Sequence, residues 1–102
     1  ITSCATLKSG TNIEPNDEFV LGKNEHGPFR VKMRNTSNDT IVVYKGPIIG
    51  GRHSAREVAP GMQSSFKVDA NTALVFFNPS GNTVTIALNV RGDLGLNMEY
   101  SK

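Results

Sequence analysis

Strict alternation of apolar and polar side chains dominates the chain, and no window shows a sustained helical stripe. Phe29-Arg30-Val31-Lys32-Met33-Arg34 puts Phe29, Val31 and Met33 on one face of a strand and three cations on the other. Thr83 to Arg91 does the same, with Val84, Ile86, Leu88 and Val90 opposed to Thr85, Ala87, Asn89 and Arg91. Glu18 to Gly22, Thr40 to Lys45, Ala55 to Val58 and Ser65 to Asp69 read as shorter strands. Ala73-Leu74-Val75-Phe76-Phe77 is apolar on both faces and predicts a central strand. Leu94, Leu96, Met98 and Tyr100 alternate inward on a last strand, expected to return from Thr83–Arg91 through a two-residue Gly92-Asp93 turn.

Ten Gly, five Pro and ten Asn punctuate these runs. Asn35 to Asp39 and Asn78 to Asn82 are turn segments, and Ala59-Pro60-Gly61 has Pro and Gly in the order a type II turn prefers. Lys45 to Gly51, with its Gly-Pro and Gly-Gly pairs, reads as a loop. Residues 17–102 therefore predict an all-β domain, a small antiparallel β-sandwich of seven or eight strands. Residues 1–16 are small and polar, with only Leu7 and Ile13 to bury, and residues 5–12 read as a flexible tether.

At 102 residues there is room for one domain with a modest core, and a single cysteine excludes an internal disulfide. The net charge of +2 is unevenly spread. Residues 22–56 carry seven Lys or Arg against two acids, while the flanking stretches are slightly acidic. Arg30, Lys32 and Arg34 form a cationic row on one strand, with alternate residues about 6.8 Å apart. Lys45, Arg52 and Arg56 extend the row if the loop between them folds nearby. Such a row either grips an anionic glycan, lipopolysaccharide or nucleic acid, or is an ordinary solvated face. Nucleic acid also requires exposed aromatics among the cations, and Phe29 alternates to the opposite side.

Ile1-Thr2-Ser3-Cys4 resembles the lipobox of bacterial lipoproteins: an aliphatic residue, two small residues, then the cysteine that takes diacylglycerol through a thioether. The resemblance implies lipid attachment at Cys4, a tether, and a cell-envelope location on the periplasmic or cell-surface side. The segments Arg34-Asn35-Thr36-Ser37-Asn38-Asp39-Thr40-Ile41-Val42-Val43, Val58-Ala59-Pro60-Gly61 and Ser65-Phe66-Lys67-Val68 resemble bacterial immunoglobulin-like sandwiches, although the Cys…Trp…Cys core of antibody domains is absent. This second resemblance bears on architecture and not on any ligand.

Metal and enzyme templates find no support. Cys4, His26, His53 and Met98 do not have the spacing of a blue-copper site, and two isolated histidines do not make a zinc site. Ser64-Ser65 lies in no Gly-x-Ser-x-Gly elbow, and Gly50-Gly51 lacks the Lys-Ser/Thr of a phosphate loop. Arg91-Gly92-Asp93 spells an integrin-binding tripeptide, but Gly-Asp is also what a tight turn demands. Pro47-Ile48-Ile49 sets two aliphatics in a loop, where Ile48 and Ile49 either plug the sandwich or contact a partner. The expectation is a non-enzymatic envelope lipoprotein module without cofactor, with a structural or protein-interaction role. The alternatives are a polyanion- or glycan-binding module using the basic strand face, and a small enzyme.

Overall fold

In a computed structural model, residues 6–47 and 50–100 are described, and every regular element among them is a strand. The nine are β1 (Thr6–Ile13), β2 (Glu18–Leu21), β3 (Phe29–Asn35), β4 (Ile41–Pro47), β5 (His53–Val58), β6 (Gln63–Val68), β7 (Thr72–Phe77), β8 (Val84–Gly92) and β9 (Met98–Tyr100). β1 pairs with β8, β2 with β7, β3 with β6 and β4 with β5, all antiparallel. That nesting is one long hairpin. Pairing of β8 with β3 and of β7 with β4 rolls it into two facing sheets, β1-β8-β3-β6 and β5-β4-β7-β2-β9. The result is a β-sandwich of the jelly-roll type.

The inward faces meet in a dry core that includes Phe29, Phe76, Ile13, Leu21, Met33, Ile41, Leu74 and Ile86, all essentially inaccessible. β3 follows the expected alternation without exception, with its three cations exposed. β7 is the middle strand of its sheet, as its two-faced apolar character predicts. Leu74 and Phe76 face the core, whereas Ala73 and Val75 join Val20 in a smaller cluster on the outer side. Pro60 and Gly61 form the expected turn, with the Met62 amide donating to the Ala59 carbonyl and Gly61 at φ +76°.

Four expectations are corrected. From Thr6 onward the chain is not a tether: β1 pairs with β8 over eight residues, from Thr6–Arg91 to Ile13–Val84. Its inward positions, Leu7, Ser9, Thr11 and Ile13, are half polar, which masks the alternation. The last strand does not return along β8. It crosses to the other sheet, where β9 pairs with β2, and Met98 and Tyr100 are exposed while Leu94 and Leu96 pack against the core. Beyond Lys45, Gly46 and Pro47 continue β4 rather than opening a loop. The connectivity is not immunoglobulin-like either, because every link from β1 to β4 changes sheet.

The diversion after β8 is built by Gly92 and Asp93. Gly92 adopts φ +106°, and a Cβ there would lie 2.9 Å from the Pro28 carbonyl oxygen, so only glycine fits. The Asp93 carboxylate accepts from the Gly27 and Gly95 amides, which holds its pKa below the ordinary value. These contacts also tie up the acid of the Arg-Gly-Asp tripeptide.

Two crossings between the sheets share one hydrogen-bonded device. In Asn35-Thr36-Ser37 and in Asn78-Pro79-Ser80, the asparagine Oδ1 accepts from both the amide and the hydroxyl of the serine two residues on. The same carboxamide donates through Nδ2 to the carbonyl four residues on, Asp39 or Asn82. It also reaches across the structure, from Asn35 to the Val58 carbonyl and from Asn78 to those of Ile13 and Glu14. Both asparagines are fully buried. Asn78→Ala strands several of these groups and should cost about 2–4 kcal/mol in urea unfolding. Asn38→Ala, at an exposed position of the first turn, should change stability by no more than about 0.5 kcal/mol. Equal effects would show that the carboxamide is not what closes the crossing.

Candidate polyanion-binding face

The outer face of the four-stranded sheet is set by the same alternation that fills the core. Outward positions are Lys8, Gly10 and Asn12 on β1, Thr85, Ala87, Asn89 and Arg91 on β8, Arg30, Lys32 and Arg34 on β3, and Gln63, Ser65 and Lys67 on β6. Six of these thirteen are cations and none is an acid. The rest of the chain carries five basic and nine acidic residues, a net −4, so the face concentrates positive charge on an otherwise acidic molecule.

Strand register arranges these side chains in rows. Arg91, Arg30 and Lys67 lie directly opposite one another across β8, β3 and β6. The next row runs Lys8, Asn89, Lys32 and Ser65, and the third Gly10, Ala87, Arg34 and Gln63. Neighbours within a row are about 4.8 Å apart and rows about 6.8 Å apart, well inside a Debye length at physiological salt. Ion pairs among the described residues, Lys23–Glu99 and Arg52–Glu18, involve none of the six. Like charges directly opposite in a sheet destabilise it. The rows therefore carry a repulsion that an anionic partner would relieve.

The relief of the face is uneven. Gly10 and Ala87, the two smallest residues, sit side by side. Above them is a hollow of about 550 Å³ bordered by Lys8, Lys32, Arg34, Gln63 and Asn89. The Asn89 Oδ1 is buried and has no hydrogen-bond partner. A native fold retains such an orphan only rarely.

Three of the six basic residues singled out in the sequence belong here: Arg30, Lys32 and Arg34. The other three do not. Lys45 lies in β4, opposite Leu74 in the second sheet. Arg52 makes a two-point ion pair with Glu18, whose carboxylate raises the guanidinium pKa further. Arg56 stacks over the Phe66 ring, 5.2 Å from its centroid, and bonds Ser64 and the Ser65 carbonyl at the sandwich edge. Lys8, Lys67 and Arg91 take their places. The outward parity of Arg91 was visible in its strand, but the pairing that brings three strands' cations together is a long-range property.

Cys4, Ile48 and Ile49 lie outside the described residues. Both ring nitrogens of His26 meet carbonyl oxygens, Gly27 at 2.6 Å and Thr72 at 2.9 Å, so this histidine ties a loop to β7. His53 is exposed. Among the described residues no three His, Cys, Asp or Glu side chains gather to hold a metal. A second hollow, about 810 Å³, lies on the other sheet over Val20, Ala73 and Val75, with the cations at its rim, Lys23 and Arg52, already paired with acids.

No protein-family model matches the chain, and no curated protein matches it in sequence. Among solved structures, it is similar to a cupin-superfamily sugar phosphate isomerase from Silicibacter pomeroyi, with a TM-score of 0.58 and 15% identity. The match covers 95% of this chain and 57% of that one, so the chain spans a little over half of that enzyme's length. It is also similar to the Yersinia pseudotuberculosis-derived mitogen, with a TM-score of 0.47, 11% identity, and coverage of 87% and 86%. The first likeness shows the shared rolled sandwich and nothing of the chemistry. In this chain the space between the sheets is filled chiefly by the apolar core cluster.

Arg30 is flanked in register by Arg91 and Lys67, so Arg30→Gln should stabilise the fold by about 0.2–1 kcal/mol at low salt. In about 1 M salt, where the Debye length falls to about 3 Å, the gain should vanish. A loss of stability at low salt would mean that the row is not repulsive.

Proposed function

We propose that this chain is a binding module of the bacterial cell envelope whose ligand is an anionic polysaccharide, held on the outer face of the four-stranded sheet. The observation that carries the reading is the in-register row Arg91, Arg30 and Lys67 beside Lys8, Lys32 and Arg34, with no acid among them. Electrostatic attraction to such a row is long-ranged and tolerant of ligand sequence, as a polymeric ligand requires. Glycan is favoured over nucleic acid because the outward positions include no aromatic on which bases could stack. It is favoured over protein contact because the face lacks the aromatic and aliphatic anchors on which protein interfaces depend.

The envelope address rests on Ile1-Thr2-Ser3-Cys4, with Cys4 as the point of lipid attachment. Several acyl chains there would hold the module on a membrane, where one chain alone holds only marginally. The role proposed is binding rather than catalysis: the cations are exposed on an open face and no carboxylate stands among them.

Retention on immobilised heparin, a polysaccharide rich in sulfate and carboxylate, is the test. The folded chain should be retained at low salt and elute as salt approaches the range that screens surface charge. The double variant Arg30→Glu, Lys32→Glu should flow through with an unchanged far-ultraviolet spectrum. Failure of the native chain to be retained at low salt, or equal retention of the double variant, would overturn the reading.

A further inference from the structure

We infer that the hollow over Gly10 and Ala87 is a seat for one sugar ring of the bound polymer, one that carries an anionic group beside a hydroxyl or amide N–H. The inference rests on the polyanion reading above and deepens it, because it separates a saccharide from polyanions that have charge but no ring and no donor.

Three observations carry it. First, only here on the face do the two smallest residues, Gly10 and Ala87, lie next to each other, on neighbouring strands. A volume of about 550 Å³ lies within the range of small-molecule pockets. Second, Lys8, Lys32 and Arg34 border that volume, so an anionic substituent meets three cations while the ring covers Ala87. Third, the Asn89 Oδ1 is an acceptor without a donor, at the border of the same hollow and between Lys8 and Lys32 in register. Sulfate, phosphate and carboxylate groups only accept, so they satisfy the cations and leave the amide oxygen unmet. A sugar hydroxyl or acylamino N–H supplies the missing donor once the Asn89 carboxamide turns its oxygen toward the hollow. The specificity follows from that difference, because leaving a buried polar group unpaired weighs against a ligand that cannot reach it.

Gly10 gives a substitution that fills the seat without disturbing the fold. A Cβ built there meets nothing within 4 Å, and Gly10 does not occupy a left-handed conformation. Valine is at ease in such a strand. The cations and their register are untouched.

The experiment is calorimetric titration of the full chain, Gly10→Val and Asn89→Ala with two probes, a heparin hexasaccharide and a linear inorganic polyphosphate of similar charge. Each variant should bind the hexasaccharide about tenfold or more weakly, equivalent to about 1.4 kcal/mol, with polyphosphate affinity within about twofold of the native chain. Urea unfolding of Gly10→Val should match that of the native chain or exceed it. Equal loss for both probes, or loss for neither, would overturn the seat while leaving the charged face as a polyanion site. If the native chain binds neither probe, the polyanion reading itself fails, and the seat with it.

Discussion

The rolled sandwich depends on two buried carboxamides. A hairpin folded over on itself must send the chain repeatedly from one sheet to the other, and the backbone there leaves its ladder with carbonyls unpaired. Asn35 and Asn78 meet that need in the same way, each closing its own turn through a serine and then bonding a distant carbonyl. Asn78 links the turn between β7 and β8 to the end of β1, and Asn35 links the turn between β3 and β4 to the end of β5. These bonds fix where β4 and β8 begin. Strand starts fix register, and register decides which side chains share a row on the outer face.

Much of this architecture is legible in residue order. Alternation in Phe29 to Arg34 and Val84 to Val90 fixed two adjacent strands and both their faces, and the two-sided apolar run Ala73 to Phe77 marked the middle of a sheet. The Asn turns were visible as turns, though not as anchors, since their long-range carbonyl partners are supplied by the fold. β1 was hidden because Ser9 and Thr11 occupy inward positions near the sandwich margin, where burial is incomplete or a hydroxyl is tolerated. β9 misled in the opposite way. Leu94 to Tyr100 has the right alternation, but the chain is turned away from β8 by Gly92 pressed against Pro28 and by Asp93 bonding the Gly27 and Gly95 amides. Local pattern cannot distinguish a strand that returns to its neighbour from one that crosses the sandwich.

The candidate site was legible by half for the same reason. Arg30, Lys32 and Arg34 share one strand, so period two alone aligns them. Lys8, Lys67 and Arg91 come from three other strands and join only through antiparallel pairing of strands 37 to 81 positions apart in sequence. Lys45, Arg52 and Arg56, close to the row in sequence, belong to the opposite sheet or its margin. The apolar interior moves function outward as well. Phe29, Met33, Phe76 and their neighbours fill the space between the sheets, and the proposed site therefore lies on the solvent-facing side chains. On the proposed reading, the like charges along Arg91, Arg30 and Lys67 set up a field that an anionic ligand would neutralise.

Residue-resolved amide chemical-shift mapping during titration with a heparin hexasaccharide tests this account most directly. The account predicts perturbations centred on Lys8, Gly10, Arg30, Lys32, Ala87, Asn89 and Arg91, fading toward the opposite sheet and suppressed by high salt. Perturbations centred instead on Val20, Ala73, Val75 and Tyr100, or spread evenly over both sheets, would contradict it.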